Sequence, residues 1–304
     1  MGLPCLIVER TLTTSTAQGS LEGGPHTAIH AFVGKPANTY SEDMGNFYSA
    51  GHDPIFYSHH ANVDRCWYIW DTLPDRRQEL YSDTDFLDSS FVFYDEDSQL
   101  VQVSVKDCLD TKAQLGITYE PSPGSQLYRD LVPKPLGNVK GLVPKGKADL
   151  PIGVSKSKGQ APQKLDTSKT LSAVVNRPTG KAAFAAAKGI EESKVEEVLI
   201  LEEVIVPSTA STYLAVYINL PSATTSTTLN CAEYVGSYAN LPHLGMSPLS
   251  MSMDLVTKVR LSITTNIKDL GIEAQDSLVI TVVSKVADQE ASQVSVGGFK
   301  IEYA

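Results

Sequence analysis

The sequence predicts a mixed fold class: an α-helical, histidine-bearing N-terminal part, a basic linker, and a C-terminal antiparallel β-sandwich. Three observations predict it. His26 and His30 stand four residues apart, and the apolar stretch Ile55–Trp70 follows Asp53-Pro54 as a helix would. Residues 121–190 concentrate proline and lysine while holding only two aromatics, Tyr128 and Phe184. Beyond them β-branched runs recur between turn residues, at Val195–Val206, Tyr213–Ile218, Leu255–Thr264, Ser277–Val283 and Val294–Tyr303.

The chain has 304 residues, enough for one large domain or two ordinary ones. Lys plus Arg is 25 against 35 Asp plus Glu, a net charge of −10 that excludes a nucleic-acid binder relying on a broad basic face. Hydrophobic residues at 42% and charged ones at 20% exclude wholesale disorder. No apolar run approaches the roughly 20 residues that span a bilayer, so no membrane span is expected. Four cysteines, Cys5, Cys66, Cys108 and Cys231, include no Cys-x-x-Cys pair and give no disulfide framework. The redox compartment stays open. Met1–Ser20, with Arg10 inside it, reads as neither a signal peptide nor a transit peptide.

In the N-terminal part, Asp53 is the expected N-cap and Pro54 the first helical position. On that helix His60 and Asp64 are four apart and share a face, whereas His59 points about 100° away. The spacing of His26 and His30 stacks two imidazoles on one face of a second helix. Three imidazoles from two helices suit copper or zinc, because neutral nitrogen donors bind both strongly. Asp64 is then a tether or a group behind the ligands.

The linker holds 8 of the 17 prolines and 12 Lys plus Arg, with only Asp130, Asp149 and Asp166 opposing them. It carries a formal +9 against a chain total of −10, so the remainder carries −19. So few large apolar side chains cannot offset the ordering entropy, and an extended, protease-sensitive segment is expected. In the sandwich, Glu202-Glu203 interrupts the first run and Gly297-Gly298 suggests a bulge or tight bend.

The block His26-x-x-x-His30, Glu42-Asp43-Met44-Gly45-Asn46-Phe47-Tyr48-Ser49-Ala50 and Asp53-Pro54-Ile55-Phe56-Tyr57-Ser58-His59-His60-Ala61-Asn62-Val63-Asp64-Arg65 resembles the second copper site of plant polyphenol oxidases. These are the type 3 copper catechol oxidases and tyrosinases. The resemblance assigns copper ligation to His26, His30 and the second of the pair, His60; His59 falls where relatives can place a leucine. Glu22 matches an acidic residue that holds a water near the substrate phenol. Phe47 matches an aromatic gating the copper pocket. Thr27 and Ala31 occupy positions that bias monophenol against diphenol activity, and neither is the asparagine linked to tyrosinase behaviour.

The resemblance continues beyond the helices. Tyr81–Leu87 with Phe93-Tyr94-Asp95-Glu96 is similar to an Asp-Trp-Leu segment, with Phe86 in place of the tryptophan. Ile117-Thr118-Tyr119 stands where a Tyr-x-Tyr motif would close the catalytic core. Tyr213-Leu214-Ala215-Val216 stands in the place of a Lys-Phe-Asp-Val strand. The implied organisation is the α-helical half of a type 3 copper four-helix bundle over 1–80, a closing segment over 81–120, the linker over 121–190 and a shielding β-sandwich over 191–304.

A complete centre of this family holds two copper ions, each on three histidines. This chain offers one triad, and of its remaining histidines neither His52 nor His243 lies in a block like the first copper site. The region before about Glu22 does not align. The resemblance therefore implies a partial chain whose complete form oxidises o-diphenols to o-quinones with O2, the sandwich covering the pocket until the linker is cut. The partners are a small phenolic substrate and O2. An exposed half-bundle would also favour a homodimer. Family members enter the plastid thylakoid lumen through a transit peptide. A non-catalytic remnant with a half metal site stands as the alternative, and a mononuclear zinc or copper hydrolase using Glu22 as base is a weaker third reading.

Overall fold

The computed structural model describes residues 21–34, 42–71, 83–120, 133–136, 163–164, 170–207, 212–241, 254–285 and 294–304. They fall into two compact units, one drawn from residues 1–59 and 131–304, the other from residues 60–130. The division falls inside a helix, immediately after His59.

In the first unit a π-helical turn, Glu22–His26, runs into helix α1, Thr27–Val33. A 3-10 turn, Asp43–Gly45, and the short helix α2, Phe47–Ala50, follow. Helix α3, Pro54–Asp71, starts as its sequence dictates: Asp53 Oδ1 accepts the Ile55 N–H at 2.9 Å, with Pro54 needing no partner for its nitrogen.

The rest of this unit is the sandwich. One sheet has strands β3 (Gln163–Lys164), β5 (Glu197–Val206), β8 (Leu255–Ser262), β10 (Ser295–Val296) and β11 (Gly298–Tyr303), with β5 central between β8 and β11. The other runs β4 (Leu171–Asn176), β9 (Ser277–Ser284), β6 (Thr212–Ile218), β7 (Tyr234–Asn240). All their pairings are antiparallel. The expected interruption at Glu202-Glu203 is a bulge: the β5–β8 register shifts between Leu201 and Val204, and Glu203 adopts φ 47°. Gly297 separates β10 from β11, its N–H donating to Glu202 O at 2.8 Å.

Strand β6 is buried along its whole length. Leu214, Val216 and Ile218 face the core between the sheets, among Leu199, Leu201 and Ile280. Ala215 and Tyr217 face the other way, under the loop that carries Leu220, Ala223 and Cys231. Lys285 staples that loop, its Nζ donating to the carbonyls of Thr224, Thr225 and Thr227.

One expectation changes here. The linker, expected to stay extended to residue 190, instead contributes β4 and helix α5, Lys181–Lys188, to the sandwich. Leu171–Asn176 is short and apolar enough to pair with β9, and the Ala-rich α5 is a strong helix former. The helix ends as such helices do, with Gly189 left-handed and the N–H groups of Gly189 and Ile190 closing on Ala186 and Ala185. Residues 133–136 are also attached, through Leu136 N–H to Glu233 Oε1 at 2.7 Å. Linker residues 121–132, 137–162 and 165–169, with Met1–Ser20 and His243, lie outside the described residues.

The second unit contains the remainder of α3, helix α4 (Thr84–Leu87) and a hairpin of β1 (Ser90–Tyr94) and β2 (Leu100–Ser104). Asp95 turns the hairpin by accepting from the Asp97 and Gln99 N–H groups. Among the described residues no helix is long and apolar enough to cross a membrane.

Candidate metal centre

His26 ends the π-helical turn and His30 lies four residues on in α1, so their imidazoles meet edge to face with centroids 4.9 Å apart. The third ring is His59, from the first turns of α3, 5.4 Å from His26 and 5.0 Å from His30. One nitrogen from each of the three lies within 4.8 Å of the others, the one such group of three among the described residues. His30 and His59 are buried and His26 half-buried.

Backbone carbonyls orient two of these rings. His30 Nδ1 is 2.9 Å from Met44 O, and His59 Nε2 is 3.0 Å from His26 O. A carbonyl only accepts, so His30 is protonated on Nδ1 and presents the Nε2 lone pair, while His59 is protonated on Nε2 and presents Nδ1. Met44 is fully buried, so its carbonyl is a fixed acceptor. The 3-10 turn that carries it is pressed against the end of α1, where a Cβ on Gly34 would run into the backbone of Gly45. Phe56 closes one side, its ring 6.0 Å from His30. Three neutral imidazoles, with no thiolate or carboxylate among them, fit one copper or zinc ion.

The structure brings His26 and His30 together and joins His59 to them, whereas the resemblance assigns His60. His60 is half-buried, next along α3, and outside the group. The reason lies in tertiary packing: α1 approaches the side of α3 that bears His59, and periodicity within α3 carries no information about where a second helix arrives. His52 is exposed and also outside the group.

Glu22 is exposed in the π-helical turn, and its carbonyl accepts the Thr27 hydroxyl at 2.7 Å. That bond ties up the Thr27 hydroxyl beside His26 in a side chain only 6% exposed. Ala31 is half-buried and Phe47 is 60% exposed. Asp64 is exposed and accepts a hydrogen bond from the Tyr119 hydroxyl, whose ring packs 5.4 Å from Tyr68. Burial, with Asp64 adding to it, pushes the Tyr119 hydroxyl up to about 12. Sequence reasoning missed the Met44 carbonyl, for which Gly34 and Gly45 were the only available signals.

Three family models match in chain order. The common central domain of tyrosinase matches residues 7–73, the polyphenol oxidase middle domain residues 81–129, and the chloroplastic polyphenol oxidase C-terminal domain residues 161–303. The first begins well before Glu22, where the sequence alone gave no alignment, and the last begins before the expected boundary at 191. Among relatives, the chloroplastic latent form of polyphenol oxidase from Prunus armeniaca is 36% identical over 96% of this chain and 45% of its own length. Catechol oxidase B, chloroplastic, from Solanum tuberosum is 35% identical over 93% of this chain and 45% of its own. The solved structure of latent apple tyrosinase superposes with TM-score 0.71 at 35% identity, over 94% of this chain and 57% of that one. A latent aurone synthase, also a polyphenol oxidase, reaches TM-score 0.71 at 28% identity, covering 96% and 53%. The chain thus spans about half the length of the relatives it matches, and with three matched segments in one order and this histidine cluster in the first of them, it belongs to the plant polyphenol oxidase family.

Proposed function

We propose that this chain carries one of the two copper-holding halves of a polyphenol oxidase centre, and that the complete enzyme oxidises o-diphenols to o-quinones with O2. The observation that supports this most is the three-histidine cluster, whose ligand nitrogens lie within 4.8 Å of one another in a chain related to polyphenol and catechol oxidases. His26, His30 and His59 would hold the ion. Bound there, copper supplies the redox chemistry by which a diphenol gives up electrons to O2.

The remaining steps belong to the chain's own residues. The Met44 carbonyl keeps the His30 ring oriented, and the buried imidazoles keep water away from their lone pairs. Glu22, exposed beside the cluster's helix, orients a water that accepts the phenolic proton. Phe47, Thr27 and Ala31 line the approach of the phenol, and Asp64, tied to Tyr119, steadies α3. The sandwich shields the site until the linker is cut, and the chloroplastic naming of the relatives supports a plastid location.

The test is copper per chain on the purified protein, alongside oxygen uptake with 4-methylcatechol. One copper per chain, lost in His30→Ala, is the expected result. No copper at all would overturn the half-centre reading. One copper without oxygen uptake favours a half-site inactive by itself, including the non-catalytic remnant. Two coppers with turnover would place a second ligand set among residues outside those described.

A further inference from the structure

Helix α1 has two working faces. His26 and His30 occupy one. Ala28 and Phe32, also spaced by four, lie on the opposite side, and with Gly24 of the preceding π-helical turn they meet the outer face of the β6–β7 strand pair. Ala28 forms a buried cluster with Tyr213 of β6 and Ala239 of β7, at 6%, 4% and 0% exposure. A Cβ on Gly24 would lie 3.7 Å from Ser237 Oγ, so the strand approaches the helix backbone itself. Phe32 meets the Tyr213 ring edge to face at 5.1 Å.

The sequence of β6 suits this seat. Tyr213-Leu214-Ala215-Val216 resembles a Lys-Phe-Asp-Val strand in its place in the chain. Leu214 and Val216, which face the core, keep the apolar character of that motif. Tyr213 and Ala215 face outward, Tyr213 against Ala28 and Ala215 under the loop that carries Cys231. A lysine at 213 would bring a hydrated ammonium against Ala28 and Phe32; a tyrosine ring instead buries apolar surface there.

We infer that Tyr213 is a positioning residue for the metal centre: the sandwich grips the back of α1 through this side chain and thereby holds the His26/His30 pair in register for metal. The sandwich is then a brace for the ligand helix as well as a cover. This rests on the metal reading proposed above.

The experiment compares the full chain with Tyr213→Phe and Tyr213→Lys, adding Ala28→Leu as a variant on the helix side. Two quantities are read: hydrogen exchange of the amides in residues 28–33, and copper affinity by chelator competition. Tyr213→Phe keeps the ring and stays within about 2-fold of the parent in both. Tyr213→Lys and Ala28→Leu speed exchange in α1 by ~10-fold or more and weaken copper by ~10–100-fold, as loss of an orienting contact does. Exchange in β5 and β9 stays unchanged, which separates undocking from unfolding of the sandwich. Unchanged α1 exchange in Tyr213→Lys overturns the docking. Faster exchange with unchanged copper affinity overturns the positioning role. A parent chain that binds no copper defeats the metal reading and the positioning role with it, while the exchange result still decides whether the sandwich grips α1.

Discussion

His30 Nδ1 donates to the carbonyl oxygen of Met44 across 2.9 Å, which makes a buried 3-10 turn the orienting partner of a helix-borne imidazole. An imidazole held this way has one tautomer and one direction for its Nε2. Losing a group that orients a ligand histidine weakens metal binding by about 10–100-fold.

That contact depends on Gly34. Its hydrogen lies against Gly45, so Gly34→Ala forces the end of α1 and the Met44 turn apart. The expected cost is about 1–3 kcal/mol of stability for overpacking, with copper affinity falling ~10-fold as the His30 ring loses its acceptor. Thermal melts and chelator competition on Gly34→Ala measure both. An unchanged copper affinity would mean that the Met44 carbonyl has no part in orienting His30.

His59 and His60 give opposite expectations. Resemblance selects His60, whereas the cluster contains His59, with its Nε2 donating to His26 O at 3.0 Å. Removing a ligand costs more than removing an orienting group, so His59→Ala should lower copper affinity by ~100-fold or more and His60→Ala by ~10-fold or less. Copper titration of both variants decides it, and the reverse order would return the assignment to His60.

How far the sequence could be read differs between elements, for physical reasons. The capped start of α3, the His26/His30 pair and strands β5, β6, β8 and β9 follow from local signals: an Asp-Pro cap, a spacing of four, and apolar β-branched runs. Strand β7, Tyr-Val-Gly-Ser-Tyr-Ala-Asn, has no such run; its pairing with β6 makes it a strand. Strand β4 was hidden in a segment dominated by lysine and proline, because six apolar-rich residues contribute little to a seventy-residue average. The choice between His59 and His60 was illegible for a different reason. Both sit on one helix, and the direction from which α1 arrives is set by contacts far along the chain, including Tyr213 and Ala239.

Arg177 joins the two sheets of the sandwich. Its Nε and Nη2 reach both carboxylate oxygens of Glu197 at 2.9 and 2.6 Å, and Nη1 donates to the carbonyls of Glu273 and Gln275, each at 2.7 Å. Glu197 is buried at the start of β5, so Arg177→Met leaves a carboxylate without its counter-charge. A loss of about 3–5 kcal/mol is expected, most of it recovered in the double variant Arg177→Met/Glu197→Leu. Urea unfolding followed by near-ultraviolet dichroism measures it; a loss below about 1 kcal/mol would show the pair to be no more than a surface ion pair.

Alkaline pH should loosen the sandwich through Tyr238. Its side chain is 6% exposed, and burial pushes its hydroxyl up to about 12. An unfolded tyrosine ionises near 10, so between about pH 10 and 12 the folded chain binds more protons than the unfolded one, and stability falls as pH rises through that window. Burial also raises the hydroxyls of Tyr217 and Tyr234, which extends the decline upward. Urea midpoints should therefore be level from neutrality to about pH 9.5 and drop beyond it, together with phenolate absorbance. Tyr238→Phe removes one ionising group from the core and should make the drop shallower. A midpoint that stays level to about pH 11.5, or a drop equally steep in Tyr238→Phe, would exclude this tyrosine as a source of alkaline unfolding.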